Sequence, residues 1–214
     1  MPFAERQIII MSKNNVSKST QKMVLLAILF AIIILVTCLP IKTLGLEITL
    51  AMIPIAVGAV LFGAKEGAIL GGFYGVCSFL QCFGFLCPSP FGAQLLSINP
   101  WFTLIACIIP RILCGFLCGL FYKWLSKFDK TKFLSNAAAC LLCPLLNTVF
   151  FMSAIMLLFG QTEYIRSFMD MLGVYNPLLF VLAFVGINGL IEAITNFVIA
   201  TAVSKALQKF IIYN

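Results

Sequence analysis

The sequence NPWFTLIACIIPRILCGFLCGLFYKWLSK, residues 99–127, decides how the rest of the chain folds. Residues 100–122 form its apolar part, which is roughly 35 Å long as a helix that rises about 1.5 Å per residue. The hydrocarbon core of a bilayer is about 30 Å thick, so this segment is long enough to cross it with some tilt. We therefore interpret it as a transmembrane helix that ends in Tyr122, Lys123, Trp124 and Lys127.

One charge lies inside this helix, at Arg111, near the middle of the membrane. A guanidinium at that depth costs between about 3 and more than 10 kcal/mol unless it finds a partner or a polar cavity, so it indicates a functional site. Pro110 offers a structural alternative, because a proline leaves a carbonyl of the preceding turn without its hydrogen bond. Both interpretations of Arg111, a ligand contact and a side chain bonded to those carbonyls, stay open at this point.

The composition of the whole chain is that of an integral membrane protein. Of its 214 residues, 62% are hydrophobic and only 10% are charged, and the mean hydropathy is +1.11. A soluble globular protein has about 25% charged residues. The chain has no room for a separate soluble domain, so any ATPase must be another chain. The net charge of +7 comes from basic residues that flank apolar runs, which indicates the membrane surface and not nucleic acid.

The chain contains six apolar runs, and we predict an all-α integral membrane protein with six transmembrane helices. The runs are residues 23–39, 48–62, 68–80, 100–122, 134–159 and 176–209. The second run is shortened and broken at Pro54, since proline breaks a helix interior. Residues 1–22 are predicted to be a mostly interfacial or frayed cytoplasmic tail, and residues 23–209 a single transmembrane domain. Residues 81–98 form a long uncharged loop, of a length typical of functional loops.

Basic residues are distributed unevenly, and this predicts the orientation because Lys and Arg are enriched on the cytoplasmic side. Eleven of the 14 lie in the tail, the turn after the second run, the connection after the fourth and the C-terminal segment. Lys42 and Arg166 lie in the other connections, and Arg111 is the last of the 14. We predict that both termini are cytoplasmic and that the loop at residues 81–98 is outside.

Small residues recur every four positions in three of the predicted spans. In the third and fourth spans they are Gly67, Gly71, Gly75, Gly115 and Gly119. This spacing lets helix backbones approach closely in lipid, so we expect these two spans to touch. Ala27 and Ala31 have the same spacing in the first span, between bulky aliphatic residues. A notch of this kind is suited to a partner helix.

Amides and a carboxylate lie at membrane depth, and we interpret them with Arg111 as a polar site. They are Asn147 in the fifth span and Asn188, Glu192 and Asn196 in the sixth. The last three are spaced i, i+4, i+8 and form one stripe. We expect this stripe to face Arg111 and Asn147, with Gln94, Ser97 and Asn99 of the outer loop above them. Two alternatives stay open: a salt bridge between Glu192 and Arg111, and interhelical hydrogen bonds made by Asn147 and Asn188.

The sequence supports neither a catalytic nor a metal site. It has nine Cys and no His. The spacings Cys114-x-x-x-Cys118 and Cys140-x-x-Cys143 lie in apolar runs without nearby carboxylates, so we predict no zinc site. No aspartate cluster, Gly-rich phosphate loop or Ser/His pair indicates an enzyme. We predict a non-enzymatic protein without a cofactor, and whether Cys82 and Cys87 form a disulfide stays open.

The order of several short motifs resembles the substrate-binding S components of energy-coupling factor (ECF) transporters, in the group associated with pantothenate and similar vitamins. The motifs are Ile48-Thr49, Ile53-Pro54, Gly58-Ala59, LFGAKEGAILG at 61–71, Asn99-Pro100, PRIL at 110–113 with Gly115, and Asn147-Thr148. The resemblance implies six helices with both termini inside, and a substrate pocket near the outer face gated by the loops after the first and third spans. It also implies that Ala27 and Ala31 are the family's Ala-x-x-x-Ala surface, which meets the transmembrane T component.

We therefore predict a high-affinity membrane binding subunit for a water-soluble vitamin, which docks on an ATP-driven module of a T component and two ATPase subunits. Pantothenate is the first choice because its carboxylate gives Arg111 a charge-assisted partner. Another vitamin such as cobalamin is the second choice. Family members often carry a His before the proline of the second helix, where this chain has Met52-Ile53, and this departure leaves the vitamin open. The predicted substrate contacts are Gln94, Asn99, Arg111, Asn147, Asn188 and Glu192.

An alternative class is a secondary transporter or channel that works without an ATP-driven module. Such proteins are commonly built from two similar halves or enclose a continuous polar path. The sequence has no convincing internal repeat, and its first three apolar runs are strongly apolar toward the cytoplasmic side. The S-component interpretation is therefore preferred.

Overall fold

The chain folds as a bundle of α-helices in a computed structural model. The structure describes residues 3–38, 41–43, 46–48, 50–85 and 87–213. Side chains are described for residues 19–38, 50–85 and 87–176 and, within 179–208, for all but 182, 184, 187 and 188. The elements are α1 (Phe3–Thr37), β1 (Ile41–Thr43), β2 (Leu46–Ile48), α2 (Met52–Phe62), α3 (Ala64–Cys82), α4 (Pro90–Ile98), α5 (Pro100–Leu125), α6 (Phe133–Phe159), α7 (Glu163–Leu172) and α8 (Pro177–Tyr213). The bundle consists of α1, α2, α3, α5, α6 and α8.

Four of the described helices are long and apolar enough to cross a membrane. They are Ser19–Thr37 within α1, all of α5 and α6, and Gly189–Gln208 within α8. The other two bundle helices differ: α2 has 11 residues, or about 16 Å of helix, and α3 carries Lys65, Glu66 and Gln81 near its ends. All six bundle helices coincide with the predicted apolar runs, and the predicted all-α class is confirmed.

The second apolar run begins differently from the prediction. Its first residue belongs to β2, which pairs antiparallel with β1 so that Lys42 lies opposite Glu47. Helix α2 then begins at Met52 and holds Pro54 in its first turn. The first N–H groups of a helix have no intrahelical partner, so a proline there removes no hydrogen bond. The prediction that Pro54 breaks this helix is wrong.

Two connections and the N-terminal segment are more helical than predicted. The loop at 81–98 contains α4, where the Ser89 hydroxyl accepts a hydrogen bond from the Gly92 N–H. The connection after α6 contains α7, which the Thr162 hydroxyl caps in the same way. Ser before Pro and Thr before Glu are signals for the start of a helix, and the polar composition hid them. Helix α1 begins at Phe3, so the segment predicted to be interfacial or frayed is helical.

Helices α3 and α5 pack backbone to backbone, which confirms the contact predicted from their glycines. A Cβ atom on Gly71 would lie 2.1 Å from the carbonyl oxygen of Arg111. A Cβ atom on Gly115 would lie 2.1 Å from the carbonyl oxygen of Gly67. Neither position has space for a side chain. The contact therefore sets the register of α5 against α3, and with it the height of Arg111 in the bundle.

Side-chain contacts show which connections lie at one end of the bundle, called here the basic end. Lys22 of α1 forms an ion pair with Glu66 at the start of α3. The ammonium of Lys205 in α8 donates to the Thr131 carbonyl in the α5–α6 connection at 3.0 Å. The end of α5 packs against the start of α3. These segments contain most of the Lys and Arg residues of the chain.

The opposite end, called here the pocket end, is closed by the two short helices. Gln81 at the end of α3 donates to the Thr37 carbonyl at the end of α1, at 3.2 Å. The ring of Phe91 in α4 lies 5.9 Å from that of Tyr164 in α7 and 6.3 Å from that of Phe168, between centroids. Helices α4 and α7 thus pack on each other over the bundle.

Candidate functional site

A cavity of about 330 Å³ lies at the pocket end, between α3, α4, α5, α6 and α8. Apolar side chains such as Phe91, Leu95 and Met152 form much of its wall. Its polar groups include Ser78, Gln81, Arg111, Asn147, Thr148 and Glu192. Small-molecule sites are typically of this size, mostly apolar with a few polar groups. The cavity is therefore the candidate binding site.

Arg111 is bonded to its own helix and to α3. It is 6% exposed, and its Nη1 donates to the carbonyl oxygens of Ala106 at 3.0 Å and Cys107 at 2.9 Å. Its Nη2 donates to Ser78 Oγ at 3.1 Å. In a regular helix the Ala106 carbonyl would accept from the N–H of residue 110, which is a proline and has none. The interpretation of Arg111 as a side chain bonded to carbonyls of the preceding turn is confirmed for its Nη1.

Two aromatic rings hold the same guanidinium. Its Cζ lies 5.2 Å from the ring centroid of Tyr74 on α3 and 4.8 Å from that of Phe151 on α6. Cation–π contacts of this kind are worth about 2 kcal/mol or more when desolvated. Three of the five N–H donors are used in hydrogen bonds, and Nε has no partner in the described part of the chain. These contacts stabilise the charge without neutralising it, so the guanidinium can still bind an anionic group.

Asn147 and Glu192 line the cavity with Arg111. Asn196 of the predicted stripe is buried, its Nδ2 donates to the Glu192 carbonyl at 2.8 Å, and it is not among the described residues that line the cavity. Asn147 is 9% exposed, and its Oδ1 has no hydrogen-bond partner among the described residues. An unsatisfied buried polar atom costs about 1–3 kcal/mol, so a ligand donor there would be stabilising. The hydrogen bonds of Arg111 go to carbonyls and Ser78 and not to Glu192. The alternative of an internal Arg111–Glu192 salt bridge is therefore not what the described structure shows.

Two other predicted contacts, Asn99 and Gln94, are placed differently. Asn99 caps α5, with its Oδ1 accepting from the N–H groups of Trp101 at 3.0 Å and Phe102 at 3.2 Å. Gln94 is exposed on α4. Neither lies among the described residues that line the cavity. The Asn188 side chain lies outside the described residues. Ligand contacts by these three residues stay predictions.

The sequence analysis missed Tyr74, Ser78 and Gln81, which line the cavity from α3. Their spacing of i, i+4, i+7 places them on one helix face, and this spacing is the signal that could have found them. Phe151 was also missed, and one of 21 Phe residues carries no such signal. These residues supply both aromatic rings and one hydrogen-bond acceptor to Arg111.

Ala27 and Ala31 lie on the outer side of α1. Both are exposed, whereas Leu29 and Ile33 of the same helix are 5% and 0% exposed. The notch that they form is therefore not packed inside the described bundle. It is also on a helix that contributes no described residue to the cavity wall.

Comparison with known proteins gives the family. Residues 21–204 match the protein-family model whose description is "ECF transporter, substrate-specific component". The chain is 28% identical over 165 residues to the pantothenate transporter PanT of Leuconostoc mesenteroides subsp. mesenteroides, with 76% of each protein covered. It is 31% identical over 169 residues to the pantothenic acid transporter PanT of Lactococcus lactis subsp. cremoris, covering 75% of this chain and 78% of that one.

A solved structure of ThiT from Listeria monocytogenes has the same fold. The TM-score is 0.62 at 18% identity, and the superposition covers 91% of this chain and 98% of that chain. This similarity confirms the predicted S-component-like bundle. Because the family match extends over residues 21–204, nearly the whole bundle, this chain belongs to the substrate-specific components of ECF transporters.

Proposed function

We propose that this S component binds pantothenate in the cavity around Arg111 and delivers it to a module of a T component and two ATPase subunits. Family membership makes the chain a multi-pass membrane protein and the binding subunit of a transporter, not an enzyme. It also implies a substrate and an energy-coupling module as partners. The vitamin, the subunits of the module and the orientation are what the proposal adds.

The observation that carries the choice of ligand is the buried Arg111 on the cavity wall. Its Nε–H has no partner in the described chain, and a carboxylate is the group that matches a guanidinium edge. Pantothenate has one carboxylate, and its hydroxyl and amide groups offer donors to the Asn147 Oδ1. Two relatives are named as pantothenate transporters. A corrinoid such as cobalamin is too large for a cavity of about 330 Å³, so it is disfavoured as the alternative.

We expect the purified protein to carry or to bind pantothenate. Mass spectrometry of the small molecules released on denaturation should detect it, and calorimetric titration of ligand-free protein should give saturable binding. Thiamine and cobalamin serve as controls and should not bind. Retention of a different vitamin would overturn the choice of ligand.

The exposed notch on α1 supports Ala27 and Ala31 as the T-component contact. We expect Ala27→Leu/Ala31→Leu to abolish uptake and assembly with the T component, because larger side chains prevent close helix approach. Pantothenate binding by the isolated variant should stay unchanged. Ala202 and Ala206 have the same spacing and exposure on α8, so Ala202→Leu/Ala206→Leu is a matched control that should assemble normally. Loss of ligand binding in the α1 variant would show that the notch packs inside the bundle.

The distribution of charge supports a cytoplasmic basic end and an outward pocket end. Cys82 is 6% exposed and Cys87 is half-buried, and both are free thiols, so introduced cysteines are better reporters of orientation. Phe85 is 64% exposed beside α4, and Lys130 is exposed at the basic end. Cys38 is also a free and exposed thiol, so the background protein carries Cys38→Ser, Cys82→Ser and Cys87→Ser. In this background we expect an impermeant thiol reagent to label Phe85→Cys on intact cells and to leave Lys130→Cys unlabelled. The reverse pattern would overturn this orientation.

A further inference from the structure

The connection between α5 and α6 presents an exposed basic and aromatic surface that neither ligand binding nor the α1 notch uses. This surface, called here the basic ledge, consists of the exposed side chains of residues 123–133. Its charges are Lys123, Lys127, Lys130 and Lys132. Its rings are Trp124, Phe128 and Phe133, which are 57%, 73% and 55% exposed. The one ion pair between described side chains lies elsewhere, at Lys22 and Glu66, so the lysines of the ledge have no acidic partner in the described structure.

The ledge is held in place by specific contacts. Asp129 accepts hydrogen bonds from Thr131 N at 3.0 Å and from Ser135 N at 2.9 Å, as well as from both hydroxyls. Lys205 of α8 donates to the Thr131 carbonyl at 3.0 Å and lies 5.7 Å from the ring centroid of Phe133. The connection is therefore tied both to the first turn of α6 and to α8.

Asp129 is a structural anchor and does not neutralise the ledge. The hydrogen bond from the Ser135 backbone N–H, with those from Thr131 and the Ser135 hydroxyl, lowers the pKa of Asp129 to about 2. Its carboxylate is therefore ionised at neutral pH and engaged with the start of α6. The ledge keeps a net positive charge.

The aromatic rings place this charge at a membrane surface. The rings of Trp124 and Phe128 lie 5.7 Å apart between centroids, edge to face, directly at the end of the membrane-crossing helix α5. Trp side chains at the end of a transmembrane helix are enriched at the level of the lipid headgroups, and Trp124 is in this position. A soluble acidic partner would explain the lysines but not three exposed rings beside them.

We propose that the basic ledge binds the headgroups of anionic phospholipids, with the lysine ammonium groups on the phosphates and the rings of Trp124 and Phe128 between headgroups and acyl chains. Charge complementarity favours this occupant. A basic residue near an anionic membrane surface strengthens binding roughly fivefold. The effects of several lysines held on one surface multiply.

Lipid binding by the detergent-purified full chain tests the proposal. Native mass spectrometry and melting temperature are measured during titration with phosphatidylglycerol or phosphatidylcholine. We expect phosphatidylglycerol to be retained and to raise the melting temperature, and phosphatidylcholine to do neither. Lys127→Gln/Lys130→Gln/Lys132→Gln should lower the apparent affinity for phosphatidylglycerol on the order of 100-fold, at fivefold per lysine. Unchanged pantothenate binding would show that this variant is folded, and the single Lys127→Gln variant, with a fivefold effect, serves if it is not.

A matched control removes the same charge outside the ledge. Lys13→Gln/Lys18→Gln/Lys65→Gln should keep the preference for phosphatidylglycerol, and an equal loss in this control would reduce the effect to net charge and overturn the proposal. Unchanged lipid binding by the ledge variant would also overturn it. If the ledge variant kept its lipid binding but failed to assemble with the energy-coupling module in phosphatidylcholine nanodiscs, the ledge would be a protein interface and the proposal would be overturned.

Discussion

Replacing Arg111 by methionine is expected to lower the affinity for pantothenate by about 10- to 150-fold, the effect of losing a charge-assisted hydrogen bond of about 1.5–3 kcal/mol. The affinity for pantothenamide, in which a neutral amide replaces the carboxylate, should fall much less in the same variant. The difference arises because the amide cannot make an ionic contact with the guanidinium, so its binding depends little on the charge of Arg111.

Calorimetric titration of both ligands against wild type and Arg111→Met measures this coupling directly. Arg111→Lys keeps the charge but not the planar fork, so it should recover only part of the affinity for pantothenate. Asn147→Ala is the matched control on the cavity wall and should weaken both ligands alike. Equal losses for the two ligands in Arg111→Met would show that the carboxylate binds elsewhere.

Arg111→Met should also destabilise the ligand-free protein by about 1–3 kcal/mol. The reason is that the buried Ala106 carbonyl loses the donor that replaces the missing N–H of Pro110. We expect the effect of Glu192→Gln on the free energy of unfolding to add to that of Arg111→Met within about 0.5 kcal/mol, since no hydrogen bond joins the two side chains. Unfolding of the four ligand-free proteins measures the cycle. Rescue of Arg111→Met by Glu192→Gln would reinstate the internal salt bridge.

Gly71→Ala is expected to destabilise the protein by about 1–3 kcal/mol or more, which is the cost of overpacking. The added Cβ would lie 2.1 Å from the carbonyl oxygen and 2.8 Å from the carbonyl carbon of Arg111. These are backbone atoms, so α3 and α5 must separate to admit it. Because the displaced residue is Arg111, we also expect weaker pantothenate binding.

Gly72→Ala is a closely matched control for this prediction. A Cβ there would lie 3.2 Å from Cγ1 of Ile112, a side-chain atom that can move. Both substitutions occur in one helix and gain the same helix propensity, about 1 kcal/mol, so their difference reports the backbone contact. Melting temperature and ligand affinity should both fall for Gly71→Ala, whereas for Gly72→Ala the melting temperature should stay the same or rise and the ligand affinity should change little. Equal behaviour of the two variants would contradict the close approach of α3 and α5.

Properties that are local along the chain were predictable. The apolar runs locate the six bundle helices because hydropathy and length are read residue by residue. The glycine repeat predicted the contact between α3 and α5 because its spacing matches one face of a helix. Helices α4 and α7 were missed because their capping residues lie in polar, loop-like sequence.

The composition of the cavity depended on packing. The predicted stripe on α8 is divided: Glu192 lines the cavity, whereas Asn196 does not and donates to the Glu192 carbonyl of its own helix. Asn99 was predicted to contact ligand, and the structure uses its side chain to cap α5. A polar residue near a membrane surface can cap a helix or contact a ligand, and its position in the sequence does not distinguish these roles.

Arg111 shows most clearly which properties follow from the sequence and which depend on the tertiary structure. The sequence by itself determined that a charge lies at mid-depth beside a proline, and that the charge needs either a ligand or free carbonyls. Only the tertiary structure decided how the guanidinium is shared: one part repairs the helix at Ala106, and Ser78 and two aromatic rings hold the rest. The physical reason is that Ser78, Tyr74 and Phe151 come from other helices, and their distance to Arg111 depends on helix register and rotation, which no local pattern encodes.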